Sequence, residues 1–291
     1  MLAYYSRRVH EEFWTEHWGG HSVDELLAVA RTSPLTTLIT AALPRQGVVL
    51  EAGCGLGQYV ILLRELGWRA AGVDGSVEAL ATCRRTAAVP LLAGDLRALA
   101  IRDGALAAYV SLGVVEHDPH GPDAILVEAA RVLASGGTLV LSVPYLNGAR
   151  RLGGPWIRRR QAECARSGGS FYQYAFTRAE LIAAVRRHGF VPLGAHPYDP
   201  ARVLRVAARA LRGTRRAADR EHRGSVASVA PAAEPAASGA RPPDTPGGAA
   251  ARERSAGRRR GWLRALARRA LYTQPALRML GHMLLVVARR A

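Results

Sequence analysis

The chain has 291 residues, 49% of them apolar, with a formal net charge of +17, which suits one substantial core of a globular α/β domain. The charge does not mark the whole chain as a nucleic-acid binder: residues 1–200 hold 20 arginines against 18 acids, a net of +2, whereas residues 201–291 hold 20 arginines against 5 acids, a net of +15. All the basic residues are arginine, a usage bias, and the three cysteines, Cys54, Cys83 and Cys164, lack the number and spacing of a disulfide framework or metal site, which points to a reducing, cytoplasmic setting.

The N-terminal stretch "MLAYYSRRVHEEFWTEHW" carries acids and arginines where an export signal needs an apolar core, so no export is expected. Its spacing places Tyr5, Val9 and Phe13, with Trp14, on one face of a predicted helix, which serves packing on a sheet or the lining of a site by Tyr4, Tyr5 and Trp14. In "VVLEAGCGLGQYV" an apolar strand, Val48–Leu50, leads through Gly53, Gly55 and Gly57 into helical spacing from Tyr59 to Leu66. Glycine permits positive φ and close approach to the main chain, and the amides of a helix N-terminus attract electron-rich groups. The dinucleotide fingerprint requires a third glycine where this chain has Gln58, and Glu51 would repel a pyrophosphate but suits a cation. A tight turn beside a solvated Glu51 is the structural alternative.

"AAGVDGS" is a second strand ending in Asp74, placed to accept hydrogen bonds from ribose hydroxyls. "PLLAGDLRAL" gives a third ending in Asp95, "AAYVSLGVVEH" a fourth ending at Gly113 to His117, and "RVLASGGTLVLSVPY" a helix end, a Gly-Gly turn and a fifth strand. Polar or glycine residues at successive strand ends are expected where a ligand lies across the carboxyl edge of a parallel sheet. An insertion follows with Arg150, Arg151, Trp156, Arg158, Arg159, Arg160, Tyr172 and Tyr174, a set suited to a phosphate or carboxylate or simply to a solvated surface. "FTRAELIAAVRRHGF" then reads as a helix with a capping box from Thr177 and Glu180.

From about 222 to 260 the chain is rich in Ala, Pro, Gly and Ser and is expected to be disordered. Residues 261–280, with Trp262, Leu263, Leu266 and Leu271 among arginines, read as a basic amphipathic helix that packs on the protein or touches a membrane surface. "HMLLVVARR" reads as a strand, too short to cross a bilayer.

From about Leu43 to Phe190 the chain resembles the class I S-adenosylmethionine-dependent methyltransferases, with "LEAGCGLG", "GVDGS", "GDL" and "RVLASGGTLVLSVP" in order. The resemblance implies a Rossmann-like, doubly wound, mostly parallel seven-stranded sheet whose antiparallel last strand, 282–291, is inserted beside "GFVPLGAHPYD". It implies an N-terminal helical lid over the cofactor, 1–42, a core, 43–198, and an insertion, 199–281. S-adenosyl-L-methionine would lie with its methionine part at Gly53, Gly55 and Gly57, its amino group near Glu51, its ribose on Asp74, its adenine on Asp95 and Leu96, and Leu112 and Gly113 on the methionine side.

Glu116 and His117, directly after the fourth strand, are the best-placed candidates for a base where an acceptor must lose a proton, and His117 equally suits a loop-shaping role. Tyr145 is a weaker candidate. The expected acceptor is an oxygen of a small-molecule or lipid-linked anionic compound handled in the cytoplasm, with a periphery at the inner membrane surface. An RNA or protein methyltransferase using the tail, and a non-catalytic cofactor-binding regulator, are the alternatives; the near-neutral core argues against nucleic acid.

Overall fold

The computed structural model describes residues 1–10, 13–200, 202 and 269–291. The linker expected at 222–260 and the Trp262, Leu263 and Leu266 positions of the expected amphipathic helix lie outside the described residues. The chain divides into two units, Met1–Asp199 with Gly281–Ala291, and Pro200–Leu280.

In the first unit β1 (Leu2–Ser6), α1 (Phe13–Gly19), α2 (Val23–Thr32) and α3 (Pro34–Ala42) precede β2 (Val48–Ala52), α4 (Gln58–Glu65), β3 (Arg69–Asp74), α5 (Val77–Thr86) and β4 (Leu91–Ala93). Then come β5 (Leu106–Leu112), a 3-10 turn (Val115–His117), α6 (Asp123–Val132), β6 (Leu133–Pro144), α7 (Gly148–Leu152) and α8 (Gly154–Arg166). The unit continues with β7 (Ser170–Ala175), α9 (Arg178–Arg187) and β8 (Phe190–Tyr198), and β9 (Met283–Arg290) closes it. In the second unit α10 (Gln274–Leu280) is described, preceded by helical residues at 269–271. No described helix is long and apolar enough to cross a membrane.

Seven strands form one sheet in the order β4-β3-β2-β5-β6-β9-β8. β2 pairs in parallel with β3 and β5, β3 with β4, and β5 with β6, whereas β9 runs antiparallel to both β6 and β8. This is the sheet that the resemblance implies, with the last strand inserted. Both faces are buried, and adjacent residues serve opposite faces: Leu50, Tyr109, Leu139, Leu141 and Val286 belong to one core cluster, Val49, Ala108, Val110, Val140 and Leu285 to the other. That division follows from the two-residue period of a strand and explains why these strands read as continuous apolar runs.

Two expectations from the sequence are corrected. The Gly-Gly pair expected as a turn before the fifth strand lies inside the span of β6, which begins at Leu133 where α6 ends, and the register with β5 shifts between Leu106 and Ala108. The N-terminal stretch is not one helix carrying Tyr5, Val9 and Phe13 on a face: Leu2–Ser6 is a strand, and the helix begins at Phe13. β1 pairs antiparallel with β7, a strand the sequence reading did not anticipate, and Leu2 is buried with Leu146 and Ala175. Tyr4 and Tyr5 favour a pleated, half-buried strand, and the pairing satisfies backbone groups that a lone helix end would leave open.

Candidate active site

The glycine turn connects β2 to α4. Gly53, Gly55 and Gly57 have φ of 79°, 52° and 72°, the left-handed region that side chains disfavour. Neighbouring side chains add a second constraint: a Cβ on Gly55 would overlap the Trp18 ring, and one on Gly53 would overlap Val114. The glycines therefore admit close packing from α1 and from the loop after β5, and α1 lies across the turn. Gly53 and Cys54 donate their amides to the Val73 carbonyl at 2.8 and 3.0 Å, which ties the turn to β3.

Glu51 is buried beneath this turn, 2% exposed, not solvated beside it. Its Oε2 accepts the Val60 amide at 2.9 Å. Val60 is in the first turn of α4, where the N-cap is Gly57 and has no side chain to offer, so Glu51 supplies the missing cap from the strand. Burial, opposed by that hydrogen bond, pushes the Glu51 carboxyl up from 4.5 to about 8.

Asp74, at the end of β3, holds two turns at once. Its Oδ2 accepts the Gly55 amide at 2.7 Å and its Oδ1 the Ser76 amide at 2.8 Å. A carboxylate has about four acceptor sites, so capacity for a diol remains. Asp95 is turned to solvent and ion-paired with Arg97 at 2.8 Å, an attraction that holds its carboxyl below the usual range. Asp95, Leu96 and Gly75 line a hollow of about 530 Å³ that also includes His117. Leu112 packs, half-buried, against the core cluster of Val110 and Val140, and Gly113 follows it with φ of 75°.

After Gly113 the 3-10 turn presents Glu116 and His117. Glu116 is 2% exposed, and its Oε2 has no hydrogen-bond partner among the described residues. Desolvation pushes its carboxyl up to about 8, so at neutral pH it is mostly protonated. His117 Nδ1 lies 2.7 Å from the Tyr172 carbonyl oxygen. Since a carbonyl only accepts, Nδ1 carries the proton, and the neutral ring keeps its lone pair on Nε2, 4.0 Å from Glu116 Oε1. Burial lowers the His117 pKa, opposed by the Tyr172 hydrogen bond, and the nearby His17 lowers it further. Trp14 packs edge-on to the ring with centroids 4.6 Å apart, and Tyr172 lies at 5.2 Å.

The expected arginine cluster is dispersed. Arg150 donates to the Tyr145 carbonyl at 2.7 Å and contacts His282 Nδ1 at 2.9 Å, so it braces the strand ends. Arg158, Arg159 and Arg160 are exposed on α8, Arg160 stacking over Trp156 at 5.0 Å. Tyr145 is buried and lines a groove against α9 together with Arg151. The sequence reading missed Trp18 over the glycine turn and the Tyr172 carbonyl on His117; for the first, the aromatic spacing before the first glycine was the available signal.

A methyltransferase-domain family model matches residues 50–141, the span from β2 through most of β6. Residues 50–141 thus carry a methyltransferase domain of the class I S-adenosylmethionine-dependent type. The chain is 31% identical over 144 residues to a malonyl-[acyl-carrier protein] O-methyltransferase of Serratia marcescens, a match covering 49% of this chain and 54% of that one. It thus spans about half the length of that curated relative. The fold is shared with a methyltransferase of Archaeoglobus fulgidus (14% identity, TM-score 0.54, covering 97% of this chain and all, 100%, of the other). It is also shared with one of Mesorhizobium loti (15% identity, TM-score 0.50, 89% and 99% covered).

The cofactor of the family, S-adenosylmethionine, suits the residues present. The buried Glu116 carboxyl, whose Oε2 has no partner among the described residues, offers a neutral polar group, Asp74 retains acceptor sites for hydroxyls, and Leu96 gives the hollow an apolar wall. Replacing Asp74 by Ala removes a charge-assisted acceptor and frees the Gly55 and Ser76 amides, so cofactor affinity is expected to fall by roughly 1.5–3 kcal/mol. Calorimetric titration of the folded variant checks this; unchanged affinity would remove Asp74 from the cofactor site.

Proposed function

We propose that the protein transfers a methyl group to an oxygen of a small-molecule or lipid-linked anionic acceptor. The observation that carries the reading is His117: its tautomer is set by the Tyr172 carbonyl, its ring is neutral, and Nε2 is left as an acceptor. An oxygen nucleophile that begins as a hydroxyl must lose a proton, and a neutral imidazole near the operating pH is the efficient base for that. When bound, S-adenosylmethionine supplies an activated methyl on a sulfonium, so the protein's task is chiefly alignment and proton removal. The Glu116 carboxyl, protonated and buried beside His117, keeps that wall of the site uncharged at neutral pH. Trp14 and Tyr172 hold the ring in place and shield it from water. The Serratia relative, named as an O-methyltransferase, favours oxygen as the acceptor atom.

Incubation of the protein with methyl-labelled cofactor and fractionated cell extract tests the reading. Label is expected in the lipid or small-molecule fraction as a methyl ester or ether. Label in RNA or in protein side chains would overturn it.

A further inference from the structure

Away from the glycine turn, the outer face of α9 forms a groove of about 780 Å³ with Tyr145, Leu146 and α7. Arg151, Arg178 and Arg186 line it, and among the described residues no acidic one does. None of these three guanidiniums has a hydrogen-bond or ion-pair partner among the described residues, although other arginines of the unit do: Arg31 with Glu65, Arg131 with Glu128, and Arg187 with Asp123 on another side of α9 itself.

The helix geometry explains the separation. Leu181, Ala184 and Val185 are buried against the sheet, while Arg178, Ile182 and Arg186, spaced four residues apart, line the groove as one row. The two arginines thus stand one helical turn to either side of Ile182. Across the groove, Leu146 and Tyr145 add apolar surface and Arg151 a third cation. Three unpaired planar cations over an apolar floor match a ligand with a phosphate head, which guanidinium forks bind bidentately, and a hydrocarbon part. The volume is that of a small-ligand site.

We infer that this groove is a second binding site, for a phosphate-bearing amphiphile. Among the described residues it shares none with the hollow at Asp95 and His117 or with the glycine turn, and it does not depend on which acceptor is methylated.

Calorimetric titration of the full chain with octyl phosphate, octyl glucoside and inorganic phosphate tests the site. Saturable binding of octyl phosphate is expected, with inorganic phosphate weaker and octyl glucoside without signal. The double variant Arg178→Ala/Arg186→Ala, exposed positions whose replacement leaves the melting temperature near that of the parent, is expected to bind octyl phosphate at least about tenfold more weakly. Flotation with phosphatidylcholine vesicles with or without phosphatidic acid separates the sources. Flotation that needs phosphatidic acid and both arginines assigns the phosphate to a bilayer, and octyl phosphate binding without flotation assigns it to a soluble ligand. The inference is overturned if octyl phosphate does not bind saturably, or if the folded double variant binds it as the parent does.

Discussion

Truncation after Gly281 is expected to leave the protein unable to fold. β9 is the strand between β6 and β8, pairing with Thr138 through Pro144 on one side and with Phe190 through Tyr198 on the other. Its removal strips partners from both neighbours, and a backbone group left buried and unpaired costs about 1–3 kcal/mol. The side chains add to this: Leu284, Leu285, Val286 and Ala288 are fully buried, at 0% exposure, and serve both core clusters. Burying a Leu or Val contributes about 1.5–3 kcal/mol each, so the three large side chains alone approach the roughly 5–15 kcal/mol by which a domain is stable. Insoluble protein, or a soluble form without a cooperative melting transition, is the expected result. A truncated chain that melts as the parent does and still binds the cofactor would show that β9 is dispensable to the sheet.

What could be read from the sequence was what neighbouring residues encode together. The Gly53–Gly57 turn, Asp74 at a strand end and the Thr177–Glu180 capping box are each written within a few residues, and all three form. The β9 strand was legible as a short apolar run, but its place between β6 and β8 was legible only through the family resemblance, because those partners lie far away in the chain. β1 and β7 were not legible: their pairing joins residues more than 160 apart, and helical spacing of Tyr5, Val9 and Phe13 outweighed the strand preference of Tyr4 and Tyr5. Glu51 shows a different limit. Its type and spacing suggested a charge beside a ligand, and they carried no sign that the side chain is buried beneath the turn and caps α4. The hydrogen bond that sets the His117 tautomer comes from a backbone carbonyl, which any residue at position 172 would supply, so composition carries no trace of it.

His117→Ala is expected to lower turnover of a hydroxyl acceptor by roughly 100-fold or more while cofactor affinity stays near that of the parent, the usual cost of losing a positioned base. The pH dependence gives an independent check. Burial disfavours the imidazolium, so the His117 pKa lies below its ordinary 6.5, and the ring is deprotonated and competent at pH 7. As pH falls through that lowered value Nε2 gains a proton, and kcat/KM declines on an acid limb lying below the usual histidine range. Glu116, with a pKa pushed up to about 8, stays protonated throughout this limb, so Glu116→Gln should leave the limb in place. Steady-state kinetics of the parent and both variants across pH 5–9 (roughly the range set by these two groups) read all three outcomes. If His117→Ala keeps full turnover, the acceptor oxygen reaches the site already ionised, as a carboxylate does, and the ring serves only to hold Tyr172 and the loop. If the acid limb vanishes in Glu116→Gln and persists in His117→Ala, the titrating group is the carboxyl, and the assignment of the base to His117 falls.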